Sequence, residues 1–220
     1  MLKHMFRAMA GLSLLASLAL LLPALPSASA RSGSGELRRD RAEAAFGREG
    51  GDAQTKRLDA PHLAPYVPTP QDVVDRMLAL AEVQKKDFVV DLGCGDGRIP
   101  VTAAKKYGAR GLGVDIDPVR IAEANANAKA AGVEHLVTFK LQDALRTDVS
   151  NATLVTTYLL SASNLRLRPI LTKTMKPGSR IVTHNFSMGD WTPEKSDTFD
   201  DATGRSRTVY LYRVDGKVRQ

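Results

Sequence analysis

The chain holds one cysteine, one tryptophan and few aromatic residues of any kind, 5% of 220, and each scarcity removes an explanation. With Cys94 alone there is no internal disulfide. A lone thiol also invites a nucleophilic role. Cys94 lies inside a glycine loop with no histidine near it in sequence, so a small side chain packed beneath a ligand is the better reading. No metal site is expected. The formal charge is +7, yet the lysines and arginines are scattered, without the concentrated stripe and aromatic partners that nucleic acid binding requires, so no nucleic acid partner is expected. Long apolar runs are scarce too. Gly11 to Leu25 is the one such run, 15 residues against the roughly 20 that a membrane span needs.

That run has a setting of its own. Met1–Ala10 carries Lys3 and Arg7 and no acid, and Ala28-Ser29-Ala30 follows the apolar stretch. A positive start, an apolar centre and an Ala-x-Ala end describe a secretory signal peptide over residues 1–30, cleaved after Ala30, with export to a bacterial periplasm. The alternative is a membrane anchor formed by residues 11–25, which would bring membrane contact only if the segment is uncleaved. Residues 31–61 are rich in Gly, Ser, Arg and Glu without apolar periodicity and read as a flexible linker. Residues 62–220 form the globular domain.

Inside that domain, Phe88-Val89-Val90-Asp91-Leu92 runs into Gly93-Cys94-Gly95-Asp96-Gly97 and then into a helical pattern. Glycines at these positions let backbone N–H groups close on a ligand, and the helix start turns its positive dipole end to the same place. A dinucleotide fingerprint would need glycine where Arg98 stands. Further on, Gly111-Leu112-Gly113-Val114-Asp115 is a short strand ending in a carboxylate, placed where a ribose diol wants an acceptor. Val137–Leu141 alternates like a third strand and leads to Gln142-Asp143-Ala144.

The D-x-G-x-G-x-G pattern resembles motif I of the class I S-adenosylmethionine (SAM) methyltransferases, and the two later carboxylates follow in that family's order. Residues 63–215 are similar to short bacterial methyltransferases, related in turn to mitochondrial and, more distantly, seven-strand histone-type protein-lysine methyltransferases. The resemblance rests also on Pro65–Pro70, Leu165–Pro169, Lys176–Arg180 and Asn185–Trp191. It implies SAM as cofactor, held by Asp91, Gly93, Cys94, Gly95, Asp115, Ile116, Asp143 and Ala144, with Asp115 on the ribose hydroxyls and Asp143 accepting from the adenine amine. It also implies a protein lysine as methyl acceptor. A small-molecule methyltransferase and a catalytically silent SAM-binding protein are the alternatives.

Strands are predicted at Phe88–Leu92, Gly111–Asp115, Val137–Leu141, Thr153–Tyr158 and Arg180–His184, with a hairpin of Lys195–Asp200 and Arg207–Arg213. Helices are predicted after Thr69-Pro70, with Thr69 as N-cap, over Arg98–Tyr107, from Pro118 to about Ala131, and from about Ala162 to Met175 with an interruption or bend at Pro169. Alternating β and α units with a terminal antiparallel hairpin give a doubly wound, mostly parallel, seven-stranded α/β sheet, Rossmann-like, with its site at the carboxyl ends of strands one, two and four.

The acceptor side is less marked. Enzymes that methylate base amines usually carry Asp/Asn-Pro-Pro-Tyr/Phe after strand four, where this chain has Thr156-Thr157-Tyr158-Leu159-Leu160. Tyr158, Asn185 and Trp191 are the candidates to line an acceptor pocket, each with a packing role as the competing reading. His184 is a candidate base, with a hydrogen-bonded structural role as the stronger reading. Export sits uneasily with SAM, which is made in the cytoplasm.

Overall fold

The computed structural model describes residues 57–220; residues 1–56, and with them the signal-peptide reading and most of the linker reading, lie outside the described part. The elements are α1 (Gln71–Leu80), β1 (Phe88–Leu92), α2 (Arg98–Tyr107), β2 (Arg110–Asp115), α3 (Pro118–Ala130), β3 (Val137–Leu141), a 3-10 turn at Ala144–Arg146, β4 (Leu154–Thr157), α4 (Ser161–Thr174), β5 (Arg180–His184), β6 (Lys195–Asp200) and β7 (Ser206–Arg213). They form a seven-stranded sheet in the order β3-β2-β1-β4-β5-β7-β6. The first five strands run parallel, and β7 inserts antiparallel between β5 and β6.

Parallel strands joined by helices are covered on both faces, so their residues are apolar in both directions along the strand. On one face Val89, Leu154, Val182 and Leu211 pack against Val73, Val74, Met77 and Leu78 of α1 and Ile99 and Ala103 of α2. On the other, Val90, Leu92, Val155 and Ile181 meet Leu167 and Leu171 of α4. Burying such side chains contributes about 1.5–3 kcal/mol each. Ala124 and Ala128 of α3 are small enough to bring that helix onto Val137 and Phe139 of β3.

Local signals fix most boundaries. Gly108 ends α2 in the left-handed conformation, returning its N–H to Ala104 O at 2.9 Å. Asp117 caps α3 by accepting from Val119 N at 3.0 Å, with Pro118 as the first helical residue. Two readings shift. Pro70, not Thr69, holds the N-cap position of α1, and no side chain caps that helix. Helix α4 is not interrupted at Pro169. The N–H that proline lacks would have served Leu165 O, and Leu165 lies on an exposed part of the helix, open to solvent. No helix among the described residues is long and apolar enough to cross a membrane.

Candidate functional site

The carboxyl ends of β1 and β2 are tied together by the glycine loop. Gly93 N and Cys94 N both donate to Val114 O at 2.9 Å, and Gly97 N donates to Cys94 O at 2.9 Å. Gly95 and Gly97 have φ of 52° and 76°, which only glycine adopts without strain. A Cβ on Gly97 would lie 2.6 Å from the Phe139 ring and 2.7 Å from Ala124 Cβ. The bare loop therefore sits flush on α3 and β3, and α2 starts directly beyond it, with Arg98 N donating to Asp96 Oδ1 at 3.3 Å and Val101 N to Gly97 O at 3.0 Å.

Five aspartates line that cleft, and three of them stand at or just past strand ends with acceptor capacity turned to it: Asp115, Asp143 and Asp91. Asp115, at the end of β2, accepts from Gly95 N through Oδ2 at 2.9 Å and from Asp117 N through Oδ1 at 3.0 Å. A carboxylate offers about four acceptor positions, so both oxygens keep capacity for further donors. Asp143 is buried, and its Oδ1 takes the N–H of Leu145 at 2.9 Å. Asp91 is buried at 3% exposure and accepts from Thr156 Oγ1 of the neighbouring strand at 2.7 Å. Burial pushes its carboxyl up to about 7, with the nearby Asp115 and Asp96 adding to the rise against the Thr156 hydrogen bond.

A strap of chain, residues 57–69, crosses the mouth. Leu58 N donates to Ile116 O at 2.8 Å, Arg57 pairs with Asp117, Ser163 Oγ donates to Leu63 O at 2.5 Å, and Arg98 Nη1 donates to Thr69 O at 2.7 Å. Arg98 is itself oriented by a two-pronged contact to Asp96, Nε to Oδ1 at 2.9 Å and Nη2 to Oδ2 at 2.5 Å. Arg57 and Leu58, at the end of the stretch read as linker, are thus tied to the domain. The strap, the loop, Asp91, Cys94, Asp115, Ile116, Asp143, Ala144 and Tyr158 enclose one cavity. All eight residues expected at the cofactor line it.

Comparison with known proteins agrees with that geometry. The family model described as the ANTKMT methyltransferase domain matches residues 91–195, from Asp91 in β1 to the start of β6. The chain is 45% identical over 155 residues to a protein-lysine N-methyltransferase of Saccharolobus islandicus, covering 70% of this chain and 95% of that protein. The chain belongs to the SAM-dependent methyltransferases. A solved RNA methyltransferase from Salinibacter ruber in complex with S-adenosyl-L-homocysteine is 47% identical, with a TM-score of 0.65, over 70% of this chain and 97% of that one. A human lysine N-methyltransferase of ATP synthase is 26% identical over 149 residues, 67% of this chain and 60% of that protein.

The methyltransferase cavity has one of the three acceptor candidates on its wall. Tyr158 lines it just beyond β4, stacked on His184 with ring centroids 3.9 Å apart and with Phe186 at 6.3 Å. Asn185 and Trp191 are not brought there. Asn185 has φ 59° and uses Oδ1 to accept from Thr208 N at 3.0 Å, continuing the β5–β7 ladder past its end. Trp191 packs on Tyr212 at 5.0 Å under the Arg219 guanidinium, in a separate groove with Arg168 and Asp190. Burial drives the Cys94 thiol well above its ordinary range, which fits packing and not nucleophilic chemistry. The hydrogen-bonded structural role expected for His184 is not what the structure shows, since neither ring nitrogen has a partner among the described residues.

Sequence reasoning missed Tyr66, Arg98, Arg120 and Thr156. Tyr66 sits on the loop with the Arg120 guanidinium 4.4 Å from its ring centroid. A signal existed for Thr156: Thr156 and Thr157 are hydroxyl residues in a strand otherwise apolar, and both are fully buried, so each needs a partner.

Proposed function

We propose that the chain transfers the methyl group of SAM to the ε-amine of a protein lysine. The 45% identity to a protein-lysine N-methyltransferase across nearly all of that protein carries this reading. The cavity's composition supports it. Bare loop backbone, free acceptor positions on Asp115 and Asp143, and a buried acid at Asp91 fit a ligand with a diol, an exocyclic amine and a cationic tail. On this reading Asp115 accepts from the ribose hydroxyls, Asp143 from the adenine amine, Gly93 and Gly95 admit the ligand against the backbone, Ile116 and Ala144 pack beside it, and Asp91 faces its positive end. Cys94 packs beneath.

Bound SAM supplies an electrophilic methyl whose carbon–sulfur bonding pair stays on sulfur as the amine nitrogen forms the new bond. The protein's part is alignment, exclusion of water and a place for an uncharged amine. Tyr158 and Leu159 give the cavity an apolar wall there, which lowers the pKa of an entering lysine and favours its free base.

A second reading, RNA as acceptor, has the Salinibacter ruber structure behind it. The Thr156–Leu160 sequence after β4, without the Asn/Asp-Pro-Pro-aromatic pattern of base methylation, weighs against it. One assay separates them. Purified protein is incubated with methyl-labelled SAM and cell extract, and the products are treated with protease or ribonuclease and hydrolysed. Label recovered as methyllysine is expected. Label released only by ribonuclease, or only in a low-mass fraction, refutes the lysine reading.

A further inference from the structure

His184 closes β5 fully buried, yet neither Nδ1 nor Nε2 has a hydrogen-bond partner among the described residues. Leaving buried polar atoms unserved costs stability, a penalty that an aliphatic side chain at the same position would avoid. What the imidazole does contact is the ring of Tyr158, at 3.9 Å and 30° between planes. Tyr158 in turn is the acceptor-side aromatic that reaches the cavity. Its hydroxyl makes no hydrogen bond to a described residue, so the orientation of the ring is set by its stack on His184 and, at 6.3 Å, on Phe186.

We infer that His184 is a positioning residue for methyl transfer, acting through Tyr158: its flat, buried imidazole holds the phenol ring against the reaction end of the cavity. The inference rests on the lysine reading for its activity test. Neutrality is part of the device. Burial, followed by the nearby Arg207, pulls the imidazole down to about 4, while Asp201, which pairs with Arg207 at 2.7 Å, pulls the other way. The ring behind Tyr158 therefore carries no charge at neutral pH, and the stack adds π surface beside a cationic donor without adding a repelling cation.

The test combines a double-mutant cycle with a spectroscopic readout. His184→Ala should lower kcat at least tenfold while the Kd for SAM changes less than threefold. In a Tyr158→Ala background the same change should cost less than twofold more, because its effect has already been removed. Additive losses, or a wild-type kcat in His184→Ala, overturn the inference. Protein labelled with 3-fluorotyrosine has five sites, and the Tyr158 line is assigned by its loss in Tyr158→Phe. That line should move and broaden in His184→Ala, and an unmoved line also overturns the inference. Should His184→Ala fail to fold, His184→Phe keeps a ring in the stack and should keep a sharp Tyr158 line, with kcat within about threefold of wild type; loss of both despite a cooperative melt overturns it. A wild-type chain that yields no methyllysine refutes the lysine reading alone, since the fluorine spectrum needs no acceptor.

Discussion

The ring of Tyr66 lies so close to Gly95 that a Cβ on the glycine would sit 2.5 Å from Tyr66 Cε2. The strap thus closes on the loop through the space that glycine leaves open, with Arg120 stacked on the ring at 4.4 Å. Removing the ring should loosen the roof of the site without touching the carboxylates below it. Tyr66→Ala is expected to weaken SAM binding by roughly tenfold, about 1.4 kcal/mol, and to speed proteolysis within residues 57–69. Calorimetric titration and limited proteolysis with and without SAM check both. Unchanged affinity would mean that the strap covers the site without contributing to it.

On the proposed reading, Asp91 should make cofactor binding pH-dependent. Its carboxyl is raised from the ordinary carboxylate value to about 7, so between about pH 4 and 7 the folded chain keeps a proton that the unfolded chain releases. Stability tied to this group is present below pH 4 and falls as pH rises toward 7, by up to about 1.4 kcal/mol per unit. A cationic ligand beside Asp91 reverses the preference and expels the proton. Titrations near pH 6 in buffers of different ionisation enthalpy should show SAM binding releasing up to one proton, with affinity rising to a plateau above pH 7. Asp91→Asn should abolish the proton release, weaken SAM binding and raise the melting temperature above pH 7.

That these residues would come together around one cavity was legible because they sit on short local patterns: a strand, a glycine loop and carboxylates at strand ends. The five parallel strands and the hairpin emerge for the same reason, as period and turn residues agree along each segment. What was not legible is long-range. Asn185 and Trp191 sit just after β5 and looked well placed, but the chain turns away there, because Asn185 is held by Thr208 and Trp191 by Tyr212. Nothing local in Arg57 or Leu58 foretells partners at Asp117 and Ile116, some 60 residues on.

Cys94 gives a direct test of packing against chemistry. Its thiol is buried with Phe139, and a Cβ on Gly113 would come within 2.8 Å of Sγ and 2.6 Å of Phe139. Cys94→Ala should keep kcat within about twofold and lower stability by about 1 kcal/mol. Gly113→Ala, which crowds both side chains, should cost about 1–3 kcal/mol by overpacking. Thermal melts and steady-state rates measure these. A large kcat loss in Cys94→Ala with intact SAM affinity would give the thiol a catalytic part.

Asp115 holds the loop and, on the proposed reading, the ribose together. Asp115→Ala removes the acceptor of Gly95 N–H and Asp117 N–H as well as the acceptor of two hydroxyls, and should weaken SAM binding by about 1.5–3 kcal/mol. A 2′,3′-dideoxy analogue of the cofactor separates the two roles. If the hydroxyls matter, the analogue should bind wild type weakly and lose little further affinity on Asp115→Ala. If Asp115 only ties down the loop, both ligands should lose affinity alike.

The start of the strap sets where the chain can be cut. Proposed cleavage after Ala30 leaves the Arg57–Asp117 pair and the Leu58–Ile116 hydrogen bond intact, with residues 31–56 joining them to the new terminus. Mass spectrometry of native protein should find a mature chain starting at Arg31 in the exported fraction; an intact Met1 in membranes would favour the anchor, and a chain starting near residue 60 in the cytosol would refute both. Such a short chain would also lack both ties at the mouth. Fragments 31–220 and 62–220 should therefore differ, the longer binding SAM like the processed protein and the shorter binding it several-fold more weakly with a strap open to protease. Equal affinity of the two fragments would show that the strap closes on Leu63, Tyr66 and Thr69 alone, through Ser163, Gly95 and Arg98.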